Sequence, residues 1–291
     1  MARKRVTPSS IECGIERHYD ALEKGEYVPW HKAADVPSAG RAREAWGKTH
    51  QRVHHLLSDI EYHYFLHLDF KDEVIGIYEQ FPLLPPDETQ KIARSLGIKH
   101  PNYPGTKIPF IFTVDFYIDY QSTPNEAPIQ LARSIKPVSE LLNTTENYKN
   151  TLAKLEIEKA YFKLRGIDWK LVTDKSFNTV AARNLQWLGK DIRGSEFFEE
   201  EFEEFIQAFS TIAIDCYVLN LKKAIQQIAM RMKRSFEETN RLFRHAIWFK
   251  YLTVDITGCI ISPMTEVEKL KWSVGTNVPD YKMEQRHVKT K

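Results

Sequence analysis

Residues 108–137 read IPFIFTVDFYIDYQSTPNEAPIQLARSIKP, and this stretch decides the fold. Ile108 to Tyr120 is rich in Phe, Ile and Tyr, Ser122-Thr123-Pro124-Asn125 supplies turn residues, and Ile129 to Lys136 returns, which predicts a β-hairpin. Period-two alternation sets Thr113, Asp115, Tyr117 and Asp119 on one face of the first strand, and Ser134 and Lys136 on one face of the second. A symmetric hairpin turning near Thr123 places Asp115 opposite about Arg133, so a bulge or uneven loop is needed to bring Lys136 into line.

Working outward, Ser58 to Asp69 reads as a helix with Ile60, Tyr64, Phe65 and Leu68 as its apolar stripe. Val74 to Phe81 reads as a strand closed by Pro82, Pro85 and Pro86, and Glu88 to Leu96 as a helix stopped by Gly97. On the other side Thr145 caps a long helix reaching Arg165, Gly166 stops it, and Trp169 to Thr173 is a further strand. Strand, long helix and strand make a crossover with parallel neighbours, so the first part of the chain is mixed α/β. Ahead of it, Ile11, Ile15, Tyr19 and Leu22 predict a serine-capped helix over Ser9 to Lys24, and Tyr27 to Thr49, with Pro29, Pro37, Gly40 and Gly47, reads mostly as loop.

Beyond Asp174 the character changes. Asn178 to Leu188 is helical, and Glu196 to Met232 is nearly all helix, with Phe198, Phe202, Phe205, Phe209 and Ile212 lining one face. Ser235 and Glu238 form a capping-box pattern, and Leu252 to Ile256 looks like a strand, which together fit a mostly helical, winged-helix-like module. The expected division is a catalytic-type domain over residues 1–174, a helical partner-binding domain over 175–268 and a basic tail over 269–291.

With 291 residues, 42% hydrophobic and 27% charged, the composition is that of an ordinary globular protein, and a net charge of +2 excludes a blanket polycation. Basic clusters stand at Ala2-Arg3-Lys4-Arg5 and from Lys282 to Lys291, whereas Glu199, Glu200, Glu201, Glu203 and Glu204 form a run that nucleic acid should avoid. Cys13, Cys216 and Cys259 lack metal-type spacing and read as buried thiols of a reducing compartment. No apolar stretch has the length of a membrane span and no signal-peptide core follows the basic start, so a cytoplasmic protein without membrane contact is expected.

A carboxylate and an ammonium gathered at a sheet edge can hold a divalent cation and steer a water at a phosphodiester, provided a second carboxylate arrives from elsewhere. Glu61 is the candidate. It stands three residues after Ser58, where it could simply complete a capping box, yet Leu57, Phe65 and Leu68 place it beside the apolar stripe, where an unpaired carboxylate is costly. Asp115 and Lys136 could equally be a structural cross-strand pair. Glu158, with Leu155 and Phe162 beside it, also edges an apolar face, whereas Glu156 has only routine surface lysines near it. His63 and His67 share a helical face, but no third ligand is suitably spaced for zinc. The absence of a Gly-rich phosphate loop or a nucleophile elbow excludes a nucleotide cofactor of that kind and serine-hydrolase chemistry.

Ordered words along residues 25–190 carry a resemblance: YVPWHKAADVPSAGR from Tyr27, RVHHLLSDIE ending at Glu61, EQFPLLP from Glu79, IKHP from Ile98 and TVDF around Asp115, then ARSIKP through Lys136, LEIEKAYFKLRGIDWKLVTDK from Leu155 and NLQWL from Asn184. In these the chain resembles the TnsA endonuclease subunits of heteromeric cut-and-paste transposases. The resemblance implies a restriction-endonuclease-like core in which a helix glutamate, a strand aspartate and a lysine on the following strand bind Mg²⁺, with Mn²⁺ able to substitute, and cut DNA. Glu61, Asp115 and Lys136 match those roles, and Glu158 matches an acidic position on the helix after the lysine strand. Ser134 departs from the glutamine or acid usual at its position and would reach the metal directly or through a water. The implied reaction is a nick at the 5′ ends of the element, with transposon-end DNA, a TnsB-type recombinase and a TnsC-type AAA+ regulator as partners. Arg41, Arg43 and Arg52 are the candidate DNA contacts. The alternatives are a non-catalytic adaptor bridging transposase and DNA, and a free-standing restriction or repair nuclease.

Overall fold

A computed structural model of the chain describes residues 6–35, 41–142, 148–190, 192, 197–215 and 219–277. Two compact units divide at the residue pair Phe177 and Asn178. The basic clusters at residues 2–5 and 282–291, the helix cap read at Thr145, and Cys216 lie outside the described residues.

The first unit begins with helix α1, Pro8–Glu23, whose cap is Thr7 rather than a serine; Thr7 and Ser10 satisfy one another in a capping box. The face it buries is Gly14, His18 and Ala21, while Tyr19 and Leu22 of the expected stripe are exposed. Packing explains the shift, because Gly14 leaves room for the Trp30 ring, which a Cβ there would meet at 3.0 Å. Strands β1 (Arg43–Gly47) and β2 (Arg52–Leu56) pair antiparallel as a separate two-stranded sheet, so the stretch read as loop ends in a strand. Asp69 fastens the turn between them, accepting the backbone N–H groups of Lys48 and Thr49 and the Thr49 hydroxyl.

Helix α2 (Asp59–Asp69), strand β3 (Val74–Pro82), helix α3 (Pro86–Ser95), strands β4 (Thr113–Tyr120) and β5 (Ile129–Ile135), helix α4 (Tyr148–Leu164) and strand β6 (Asp168–Val172) follow. The main sheet has the order β3-β4-β5-β6, with β5 and β6 parallel across the α4 crossover and the other neighbours antiparallel. Val114, Phe116 and Ile118 are buried on one face of β4, and the Phe116 ring meets Tyr64 of α2 at 5.6 Å. Tyr117, on the other face, stacks between Phe81 and Phe162, and Leu83, Ile92, Phe112, Val114, Ile157 and Phe162 gather in one core cluster. Gly166 ends α4 in the left-handed region, φ +67°, where L side chains are strained.

The hairpin register corrects one expectation. Phe116 pairs with Arg133 and Tyr120 with Ile129, without a shift between them, so Asp115 stands level with Ser134 and no bulge is needed. Beyond Phe116 the Asp115 carboxylate takes over from the backbone and accepts the Ile135 N–H at 2.6 Å. Lys136, the next residue, donates from Nζ to the same oxygen.

The second unit holds helices α5 (Thr179–Leu188), α6 (Glu199–Asp215), α7 (Leu221–Arg231) and α8 (Phe236–Trp248), with strands β7 (Leu252–Thr253) and β8 (Ser273–Val274) pairing as a short antiparallel ribbon. Phe202, Phe205 and Phe209 are buried as the 3.6-residue pattern demands, but Phe198 is 76% exposed because it precedes α6. Glu201 reaches back to accept the Phe198 N–H and caps the helix instead. Ser235 and Glu238 form the expected capping box. Cys13 is exposed and Cys259 half-buried, which overturns the reading of these two as buried thiols. Among the described residues no helix is long and apolar enough to cross a membrane.

Candidate active site

Glu61 sits in the first turn of α2 and performs two jobs. The Ser58 hydroxyl accepts the Glu61 N–H at 3.2 Å and donates to Oε1 at 2.9 Å, while the Leu57 N–H donates to Oε2 at 3.0 Å. The cap reading is therefore correct in kind, and it fixes the carboxylate so that the same Oε2 also faces the sheet. There the Gln80 amide Nε2 donates to Glu61 Oε2 and to Asp115 Oδ1, each at 3.3 Å. Two carboxylates from distant segments thus converge on one amide nitrogen. Burial, reinforced by the charge of Asp115, pushes the Glu61 carboxyl up to about 7, against the bonds from Leu57 and Ser58 and the charge of Lys136.

Lys136 follows the end of β5, and its Nζ donates to Asp115 Oδ2 at 3.1 Å and to the Ile135 carbonyl at 2.8 Å. Burial works against its charge, but Asp115, Glu158 and Glu61 outweigh it and raise the ammonium pKa, so the side chain is a fixed cation. Glu158 on α4 accepts the Ser134 hydroxyl at 2.5 Å, and Trp169 Nε1 donates to that hydroxyl oxygen at 2.9 Å. Ser134 is buried and turned toward Glu158, to which its O–H donates. Burial pushes Glu158 up to about 7 against the opposing pull of Lys136 and Ser134. Thr113, Asp115, Lys136, Glu140, Lys154 and Glu158 line a cavity of about 250 Å³. Glu140, Thr151 and Lys154 also border a wider groove of about 970 Å³ walled by Lys99, His100 and Asn102.

The candidate DNA arginines fare differently. Arg52 points inward: its guanidinium donates to both oxygens of the fully buried Glu79, at 2.9 and 2.6 Å, and to the carbonyls of Val53 and Ile77. His54 Nδ1, 2.8 Å away, and the His55 N–H complete the shell of that carboxylate. Burial opposes the Glu79 charge, but the bonds from His54 and Arg52 outweigh it and hold the carboxyl at about 2. This site corrects the reading of Arg52 as a DNA contact. Arg43 pairs with Asp59 and lies 4.4 Å over the Tyr62 ring, and Arg41 is exposed.

Gln80 escaped the sequence reading, although a polar pair, Glu79-Gln80, interrupting an apolar strand was a visible signal. His31 escaped too; burial lowers its pKa, and the charges of Asp35 and Asp115 act against that. As a metal site the donor set is carboxylate oxygen, the hard type that suits Mg²⁺, and two such groups face each other with one neutral amide between them. Among the described residues no three of His, Cys, Asp and Glu converge, so an ion here would draw its other ligands from water and substrate.

The family described as TnsA-like endonuclease N terminal matches residues 71–174, which include Asp115, Ser134, Lys136 and Glu158 but not Glu61. The chain is 40% identical over 163 residues to the transposon Tn7 transposition protein TnsA of Escherichia coli, covering 56% of each chain. It therefore spans little more than half the length of that relative. The mixed sheet with its parallel β5-α4-β6 crossover agrees with these matches, and over residues 71–174 the chain is similar to the TnsA-like endonuclease N-terminal domain, a mixed α/β fold of the restriction-endonuclease-like kind.

Proposed function

We propose that the chain is the metal-dependent DNA endonuclease subunit of a heteromeric transposase, nicking the 5′ ends of its element beside a TnsB-type recombinase and under a TnsC-type AAA+ regulator. The observation that carries this is the convergence of Glu61 and Asp115 on one amide while Lys136 is bound to the far side of Asp115. Glu61 and Asp115 would hold Mg²⁺, or Mn²⁺ in its place. A bound ion supplies Lewis acidity toward the scissile phosphate and lowers the pKa of an attacking water. Asp115 orients Lys136, whose fixed positive charge at the cavity offsets charge building on the phosphate. Glu158 holds the Ser134 hydroxyl, to which Trp169 also donates, and Asp115 and then Glu158 act to raise the pKa of Lys136. The groove past Lys154 offers room for the backbone on one side of the scissile bond, and Arg41 remains the arginine we assign to DNA. The acidic start of α6 suits protein surfaces better than phosphate, so the second unit is assigned to assembly with partners.

The test incubates the full chain with its partner recombinase and end-containing DNA, with and without divalent metal. Wild type should nick the 5′ ends, Asp115→Ala should not, and Lys136→Ala should lose about 10²–10³-fold in rate, the range for removing one charge-stabilising group. Cutting unchanged in Asp115→Ala refutes the assignment. Cutting by the chain alone, without the recombinase, favours a free-standing nuclease instead.

A further inference from the structure

We propose that Gln80 is a positioning residue for the metal-holding pair, its amide gripping Glu61 and Asp115 so that they face each other before any ion arrives. The inference rests on the reading of those two carboxylates given above and adds a residue to it. Three independent observations on Gln80 support it. Its side chain is 2% exposed, yet it lies in a strand whose neighbours are mostly apolar, and a buried amide is retained only where it is bonded. The bonds are all to this site: Nε2 donates to Glu61 Oε2 and Asp115 Oδ1, and Oε1 accepts the Thr113 hydroxyl at 3.2 Å.

The third observation is the backbone. Gln80 has φ +50°, a conformation uncommon for a residue with a side chain and costly inside a strand. It breaks the alternation of β3, so that Glu79 and Gln80 are both buried, and the β3-β4 ladder runs Glu79 with Phe116 and Phe81 with Val114, passing over Gln80. The Gln80 carbonyl, freed from the ladder, accepts the Trp30 N–H at 3.2 Å. A strand geometry of this kind turns the side chain toward the α2 carboxylate, and the three hydrogen bonds of the amide specify a glutamine there. Thr113 fixes which way round the amide stands, because its hydroxyl donates to the oxygen and leaves both N–H groups for the acids. Loss of a group that orients a metal ligand typically lowers metal affinity by about 10–100-fold.

Mn²⁺ titrated by calorimetry into the full chain, with circular dichroism as a check on folding, tests this. Gln80→Gly deletes the amide while tolerating φ +50°. Thr113→Val, nearly isosteric and on ordinary strand backbone, unlocks the amide without removing it. Asp115→Ala controls for the underlying reading. The expected result is Mn²⁺ affinity lowered about 10–100-fold in Gln80→Gly, lowered in the same direction in Thr113→Val, and abolished in Asp115→Ala. Wild-type affinity in a folded Gln80→Gly, with Asp115→Ala inactive in binding, overturns the role of Gln80 and leaves the site standing. Wild-type affinity in Asp115→Ala overturns the site itself. If Gln80→Gly does not fold, Thr113→Val decides, and unaltered affinity in it refutes the inference.

Discussion

Replacing Arg52 with alanine should destabilise the first unit by about 3 kcal/mol at pH 7, and two routes lead to that figure. Truncation removes both hydrogen bonds to Glu79 and leaves a fully buried carboxylate with only the His54 ring and the His55 N–H. Breaking a buried pair by deleting one partner costs about 3–5 kcal/mol, because the survivor is left uncompensated. Independently, the Glu79 carboxyl is held at about 2 against an ordinary 4.5. A displacement of that size is worth about 3 kcal/mol, part of it owed to His54. The sign follows from linkage: a depressed folded-state pKa gives stability that is complete above the unfolded value near 4.5 and lost as pH falls toward about 2. Urea unfolding of wild type and Arg52→Ala from pH 7 to pH 3 should therefore show a gap that is widest at neutral pH and narrows below about 4.5. In a thermal scan about 3 kcal/mol corresponds to a fall of roughly 6–12 °C for a unit of this size. Combined with Glu79→Gln, the same arginine substitution should cost much less, because no buried charge is left behind. A gap within about 0.5 kcal/mol at pH 7, together with weakened DNA binding, would refute this reasoning and restore Arg52 as a surface contact.

Two further outcomes are expected. Glu158→Gln should stabilise the metal-free chain at pH 8 and leave it unchanged near pH 4: the Glu158 carboxyl is raised to about 7, so its ionisation opposes folding increasingly as pH rises through that value; urea midpoints at the two pH values measure it, and an equal effect at both contradicts the assigned burial. Phe205→Ala, at a fully buried ring in α6, should cost about 3–5 kcal/mol, whereas Phe198→Ser, at a ring 76% exposed, should stay within about 0.5 kcal/mol; comparable losses at both positions would mean that Phe198 is packed.

Alternation made the hairpin, the α4 crossover and the positions of Asp115 and Lys136 legible, because strand faces and helix stops are written locally in residues such as Gly166 and the Phe-Ile-Tyr run of β4. The register was not legible, since a loop of several residues fixes its own closure and only the finished ladder shows Phe116 against Arg133. Strand β1 was missed because Arg-Glu-Ala-Trp-Gly has no β-branched residue and follows Pro and Gly; the β1-β2 turn is held from outside by Asp69. Gln80 was hidden for a related reason: its left-handed backbone comes with a tertiary bond to Trp30, which no local pattern announces. Arg52 was misjudged because a sequence does not say which acid a basic side chain will meet, and Glu79, 27 residues on, was already waiting inside.

The Asp115 carboxylate divides its two oxygens between unlike duties. Oδ2 closes the sheet through Ile135 and holds Lys136, and Oδ1 alone turns to Gln80 and the Glu61 side. An asparagine there, though the same size, would need its oxygen on the Ile135 N–H and would then aim its own N–H group at Gln80, donor against donor. The seam of the sheet and the proposed site are therefore stitched by a single side chain, and any distortion that pries β5 from β4 at that point also parts Asp115 from Lys136.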